Sequence, residues 1–318
     1  MRIAFVGKGG SGKTTLAALT ARSLAAHELP VLAIDADINQ HFAGTIGMPT
    51  HLASQLPPMG IEIERIKDHL RGTNARIHSA AVMIKTTPPG NGSQLIRFNE
   101  QNPLFDYFER VYEGIRVMAV GAFTEEDLGI KCYHSKVGAV ELLLNHLIDK
   151  KREYVVVDMT AGADSFASGM FTKFDLTLLV VEPTLKSVGV YEQYRSYAKK
   201  YGINIRVIGN KIEDAKDVGF LDKHIGEDLI ACVRRSDYIR GMEKGDYFPV
   251  DRLESENQAA VKTIITALDS SKKDWRKFYE HAVHFHQRNA ESWANDEVGE
   301  NLAAQVDPLF DIEVAVSS

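Results

Sequence analysis

Cysteine is scarce in this chain. Its 318 residues hold two, Cys132 and Cys232, far apart in sequence. They supply neither a disulfide framework nor a close-spaced metal motif, which fits a reducing cytosol. No apolar run approaches the roughly 20 residues of a membrane span. The chain enters a core strand at once, so a secretory leader is not expected. Positive charge is also lacking. With 37 Lys and Arg against 43 Asp and Glu, the formal net charge is −6, and nothing draws the whole surface to nucleic acid or anionic lipid. There is no internal repeat or low-complexity block. A soluble, cytoplasmic protein is the expectation.

The hydrophobic content of 44% supports a sizeable core. Apolar β-rich runs at 2–6, 31–34, 115–120, 154–158, 176–181, 204–209 and 229–233 alternate with helical stretches at 13–26, 136–149 and 187–200. Val155-Val156-Val157 has no polar alternation, as in a strand buried on both faces. The pattern predicts an α/β fold: a doubly wound, mostly parallel sheet flanked by helices, with ligands at the carboxyl ends of its strands. The alternation lapses from about 50 to 113, which reads as an insertion after the second strand with one helix near 61–71. Residues 1–268 form the expected main domain and 269–318 a helical extension with an acidic tail. Trp275, Phe278, Tyr279, Phe285 and Trp293 are spaced to pack as one face. Residues 295–318 are expected to be partly disordered. His281, His284 and His286 do not share one helical face and read as surface residues.

Residues 7–14 read Gly-Lys-Gly-Gly-Ser-Gly-Lys-Thr between an apolar strand and a helix. Gly7, Gly12, Lys13 and Thr14 satisfy G-x-x-x-x-G-K-[ST], a nucleotide phosphate loop. Glycines let successive amides point inward at phosphate oxygens, and the helix N-terminus adds partial positive charge. Gly9, Gly10, Ser11, Gly12, Lys13, Thr14 and Thr15 are the expected nucleotide-binding set. Lys13 is assigned to the β- and γ-phosphates and the Thr14 hydroxyl to Mg²⁺.

Lys8 adds a second lysine inside the loop, and with it the octapeptide resembles the deviant phosphate loop of the MinD/ParA family. That family includes the nitrogenase iron protein and the CooC ATPases. The resemblance implies an ATPase that dimerises when ATP-bound, with Lys8 reaching the partner subunit's nucleotide. Further landmarks follow in order over roughly residues 1–265. Asp35-Ala36-Asp37 is similar to the first switch, which implies that Asp37 orients the attacking water and Asp35 supports Mg²⁺ or Lys13. An aspartate at a strand end also caps helices, and that alternative stays open for Asp35. Asp158-Met159-Thr160-Ala161-Gly162 matches the family's D-x-x-x-G switch, implying Asp158 on Mg²⁺ through water and the Gly162 amide at the γ-phosphate. Its middle residues resemble the CooC branch more than MinD or ParA. Asn210-Lys211 is similar to the base-contacting pair, favouring adenine, although an Asn there also suits a turn. Around Ala231–Asp237 the proline of the family's base loop is missing.

Cys132-Tyr133-His134 lies near the place where CooC relatives carry a Cys-x-Cys metal pair. Two such pairs across a dimer would supply four ligands for Zn²⁺ or Ni²⁺; a packed cysteine beside a polar histidine is the alternative. Together these features imply a Mg²⁺-dependent ATP-hydrolysing switch that is slow without a protein or metalloenzyme client. A ParA-like ATPase binding DNA non-specifically is the competing reading. It needs a basic face, and Lys272, Lys273, Arg276 and Lys277 make a small one. Membrane binding is not expected, because residues 296–318 contain acids and no Lys or Arg.

Overall fold

The structure is a computed structural model. It describes residues 1–37, 39–122, 133–160 and 169–317, the side chains of 133–135 excepted. Ten strands occur in this part of the chain: β1 (Arg2–Gly7), β2 (Val31–Ala36), β3 (Ile96–Arg97), β4 (Arg110–Tyr112), β5 (Ile115–Ala119), β6 (Leu147–Ile148), β7 (Tyr154–Met159), β8 (Leu176–Val181), β9 (Ile205–Ile212) and β10 (Leu229–Arg234). Eight of them form one sheet in the order β10-β9-β8-β1-β7-β2-β5-β4, parallel throughout except for β4 against β5. β3 and β6 pair separately.

Burial on both faces explains the unbroken apolar strands. Along β1, Ile3 and Phe5 enter one core while Ala4 and Val6 enter the other, and Val155, Val156 and Val157 divide in the same way. Helices α1 (Lys13–Ala26) and α10 (Ser255–Asp269) supply residues to the first core; α6 (Tyr133–His146) and α7 (Leu185–Tyr201) supply the second. The remaining helices are α2 (Phe42–Ile46), α3 (Thr50–Ala53), α4 (Ile63–Arg71), α5 (Pro103–Phe108), α8 (Ala215–Ile225), α9 (Asp237–Glu243), α11 (Trp275–Asn289), α12 (Asn295–Val298) and α13 (Ile312–Ser317).

The end of the chain differs from expectation. Residues 295–317 are ordered against the insertion, with Leu302 and Ile312 buried. The cause lies in the irregular segment from Val82 to Gly92, most of which is buried and whose backbone therefore needs partners. Gln305 Nε2 donates to the Val82 carbonyl at 2.8 Å, and Asp307 Oδ2 accepts the Asn91 amide at 3.0 Å and its Nδ2 at 2.8 Å. His286 is likewise no surface residue. It is fully buried, donating Nε2–H to the Leu302 carbonyl at 2.9 Å and facing Thr86 Oγ1 through Nδ1 at 3.4 Å. Burial holds its imidazole down at about 4. The aromatic face also loses a member, because Trp293 is exposed and donates its indole N–H to Asn289 Oδ1.

A buried charge cluster fastens this extension to the sheet. Arg2 Nε donates to Asp149 Oδ1 at 2.6 Å, with its guanidinium 5.2 Å from the Trp275 ring and 4.8 Å from that of Phe278. Lys273 Nζ lies 2.8 Å from both Asp149 and Asp175.

Candidate functional site

The loop after β1 turns sharply toward α1. Gly12 has φ +95°, and a Cβ there would come 2.2 Å from Asn210 Nδ2; no other residue fits without displacing Asn210. Gly7 is as constrained, since its Cβ would meet the Val180 carbonyl at 2.5 Å. The Ser11 amide donates back to the Lys8 carbonyl at 3.1 Å, closing the turn. Gly9 and Gly10 are exposed on its rim and Lys8 is half-buried, while Lys13 is buried in spite of its charge.

Beside Lys13 stand the acids. Thr14 Oγ1 donates to Asp158 Oδ2 at 2.7 Å, and the other oxygen, Oδ1, is buried without a hydrogen-bond partner among the described residues. Burial pushes the Asp158 carboxyl up to about 7, against the Thr14 hydrogen bond and the Lys13 charge. An orphaned acceptor next to a threonine hydroxyl suits a hard cation with oxygen ligands, so the residues present fit Mg²⁺. Asp35 accepts two backbone amides. Its Oδ1 accepts the Asp37 amide at 3.1 Å and its Oδ2 the Phe42 amide at 3.0 Å, so it caps α2. Burial first, then the nearby Asp158, raises its pKa. Asp37 is half-buried, and its Oδ1 takes the Asn39 amide at 3.0 Å and side-chain amide at 2.8 Å. Asp37 is close enough to Asp158 to raise its pKa.

Asn210 and Lys211 reach the loop from β9. Asn210 Nδ2 donates to the Ser11 carbonyl at 2.7 Å, and Lys211, at φ +60°, donates Nζ to the Gly10 carbonyl and to Glu182, each at 2.6 Å. A cavity of about 470 Å³ opens there, lined by Gly10, Thr15, Asn210, Lys211, Arg235 and Arg240 among others. The strand-to-helix segment after β10 therefore forms a wall without the proline of the family pattern, and Ser236 caps α9 by accepting the Ile239 amide at 3.0 Å. Sequence reasoning had assigned no role to Glu182, Arg240 or α9. A serine just before a short apolar-periodic stretch was the available signal for the helix alone.

Gly162, Cys132 and the His134 side chain lie outside the described residues. Among the described residues no group of three or more His, Cys, Asp or Glu is arranged to hold a metal ion, and no helix is long and apolar enough to cross a membrane.

Comparison with known proteins places the chain by family and fold. Residues 3–228 match the CobQ/CobB/MinD/ParA nucleotide binding domain. The carbon monoxide dehydrogenase accessory protein CooC of Rhodospirillum rubrum is 32% identical over 235 residues, 73% of this chain and 83% of that protein. An uncharacterised ATP-binding protein of Methanocaldococcus jannaschii is 29% identical over 232 residues, 72% and 80% of the two chains. In fold, the chain is similar to the cell division ATPase MinD of Pyrococcus furiosus, with TM-score 0.54, 17% identity and coverage of 84% and 97%. A ParA family ATPase from Chlorobium tepidum gives TM-score 0.53 at 16% identity, covering 89% and 98%. With the phosphate loop, its paired acids and the parallel sheet in place, the chain belongs to the CobQ/CobB/MinD/ParA nucleotide-binding family, in its CooC-like part.

Proposed function

We propose that this protein is a Mg²⁺-dependent ATP-hydrolysing switch that closes as a homodimer around nucleotide and acts on a protein or metal client. The observation that carries the reading is the meeting of Lys13, Thr14 and Asp158 beneath the loop, with Asp158 Oδ1 buried and without a partner among the described residues. Thr14 and, through water, Asp158 would hold Mg²⁺, with Asp35 behind them. When bound, the ion would neutralise charge on the β- and γ-phosphates. Lys13 contacts the same phosphates, Asp37 accepts a hydrogen bond from the attacking water, and the Gly162 amide meets the γ-phosphate. Adenine occupies the cavity beside Asn210 and Lys211. Lys8 crosses to the partner subunit's nucleotide, and turnover stays slow until the switches close.

Cys132 and His134 are proposed as half of an interface site for Zn²⁺ or Ni²⁺, by likeness to the CooC branch. The competing DNA-binding reading keeps only a reduced basic face, with Lys272 exposed. Lys273 is committed to Asp149 and Asp175, Arg276 to Glu280 at 3.2 Å, and Lys277 to the Gly202 carbonyl at 2.5 Å.

Asp37→Ala tests the assignment. It is expected to bind ATP as the wild type does, to release no phosphate, and to elute as an ATP-trapped dimer that can be used to capture the client. Loss of ATP binding in this variant refutes the role given to Asp37.

A further inference from the structure

The element that follows Asp37 is gripped from two sides. Helix α2 has five residues, too few to hold its geometry alone. Phe42 and Ile46 bury its inner side, and Asp35 accepts the amide of its first residue. Its far end meets a residue from a distant part of the chain: the Tyr247 hydroxyl donates to the Gly44 carbonyl. The Tyr247 ring also covers Gly47, where a Cβ would come within 3.0 Å of it.

Tyr247 is fixed in turn to the wall of the cavity. The neighbouring Phe248 carbonyl accepts from Arg22 Nη2 at 2.5 Å and from the Tyr238 hydroxyl at 2.8 Å. Arg22, on the helix that starts at the phosphate loop, also donates Nη1 to Tyr238 Oη at 3.0 Å. Tyr238 belongs to α9, and Ile239, Arg240 and Glu243 of that helix line the cavity. A continuous series of contacts therefore runs from the cavity wall through Tyr247 to α2. From α2 it continues through Asp35 to the Asp37 amide. Between Asp37 and α2 the chain turns through Gln40 at φ +53°, with the Gln40 amide on the Asp37 carbonyl at 3.2 Å. A turn already held in a sparsely populated conformation has few others to relax into.

We infer that Tyr247 is a positioning residue for hydrolysis: it ties the cavity-lining helix α9 to α2, so that a base seated in the cavity fixes where Asp37 stands. The inference rests on the ATPase reading above and adds to it a route from base to water. Tyr247→Phe keeps the ring and removes the hydroxyl, and at 38% exposure the side chain tolerates the change. The variant is expected to lose about five-fold in kcat with ATP KM within about two-fold of wild type, the size of one hydrogen bond felt only in the reacting state. Its melting temperature stays the same. Hydrogen exchange supplies a readout that a merely structural role would not move: ATP protects the amides of 42–48 in wild type and fails to do so in Tyr247→Phe, while protection over 8–16 persists in both. Unchanged kcat, a raised KM at constant kcat, or equal ATP protection of 42–48 overturns the inference. A wild-type protein that releases no phosphate refutes the ATPase reading, and the exchange comparison still judges Tyr247 by itself.

Discussion

Asp35 and Asp158 stand opposite each other as register partners on β2 and β7, two carboxylates each about 1% exposed. Burial raises both, and Asp158 adds repulsion to Asp35. Such an arrangement costs stability when nothing is bound and is useful where a cation must be held. Asp158→Asn is expected to raise the nucleotide-free melting temperature by a few degrees, about 1 kcal/mol, and to cut phosphate release by roughly 100-fold or more. Scanning fluorimetry and a phosphate assay read the two effects. A less stable variant with intact turnover removes Asp158 from the site.

Gly12→Ala places a methyl group against Asn210 at a positive φ. The expected cost is about 1–3 kcal/mol in stability, with ATP affinity down by roughly 100-fold, since the loop amides lose their aim. Adding Asn210→Ala removes the collision and restores part of the stability but not the affinity. Calorimetric titration with ATP checks this, and wild-type affinity in Gly12→Ala contradicts the loop geometry.

Acid sensitivity follows from two buried imidazoles. His146 and His286 are held at about 4 by burial, below the ordinary 6.5. Between those values the unfolded chain takes up protons that the folded one refuses, so stability is full above pH 6.5 and falls as pH drops toward 4. The loss is on the order of 3 kcal/mol for each histidine. Urea midpoints at pH 7 and pH 5 measure it. His286→Gln is expected to start less stable at pH 7 and to lose less on acidification; a slope identical to wild type dismisses the assignment.

Asp307→Ala leaves the backbone and side-chain amides of Asn91 without their protein acceptor. A loss of about 1 kcal/mol is expected, the net worth of ordinary hydrogen bonds, together with faster hydrogen exchange confined to the segment around Asn91. Uniform exchange across the chain would mean that the tail does not brace the insertion.

Much of the sheet was legible because a doubly buried strand has no polar alternation and a phosphate loop fixes its own flanks. The strand expected at 154–158 runs one residue further, to Met159, and the one expected at 176–181 is Leu176–Val181. Helix α4 begins at Ile63 within the expected 61–71. What could not be read were contacts made by sequence-distant polar groups. Nothing near His286 announces Thr86 or Leu302, and nothing in the acidic tail announces that Asp307 completes the backbone of Asn91. Asp35 shows the same limit at the site, where the residue type allowed both a metal-supporting acid and a helix cap, and the geometry reveals the cap.

The joint at Asp149 bears on how the chain is made. Arg2 leaves the ribosome well before Lys273, yet both share that one carboxylate in the finished fold. Until residue 273 arrives, the corner beneath β1 has Arg2 but lacks the lysine and its aromatic cover from Trp275 and Phe278. Closing it late joins residues of very large sequence separation, which slows folding, so a nascent chain released short of that point carries an open, wet edge where the finished fold is sealed.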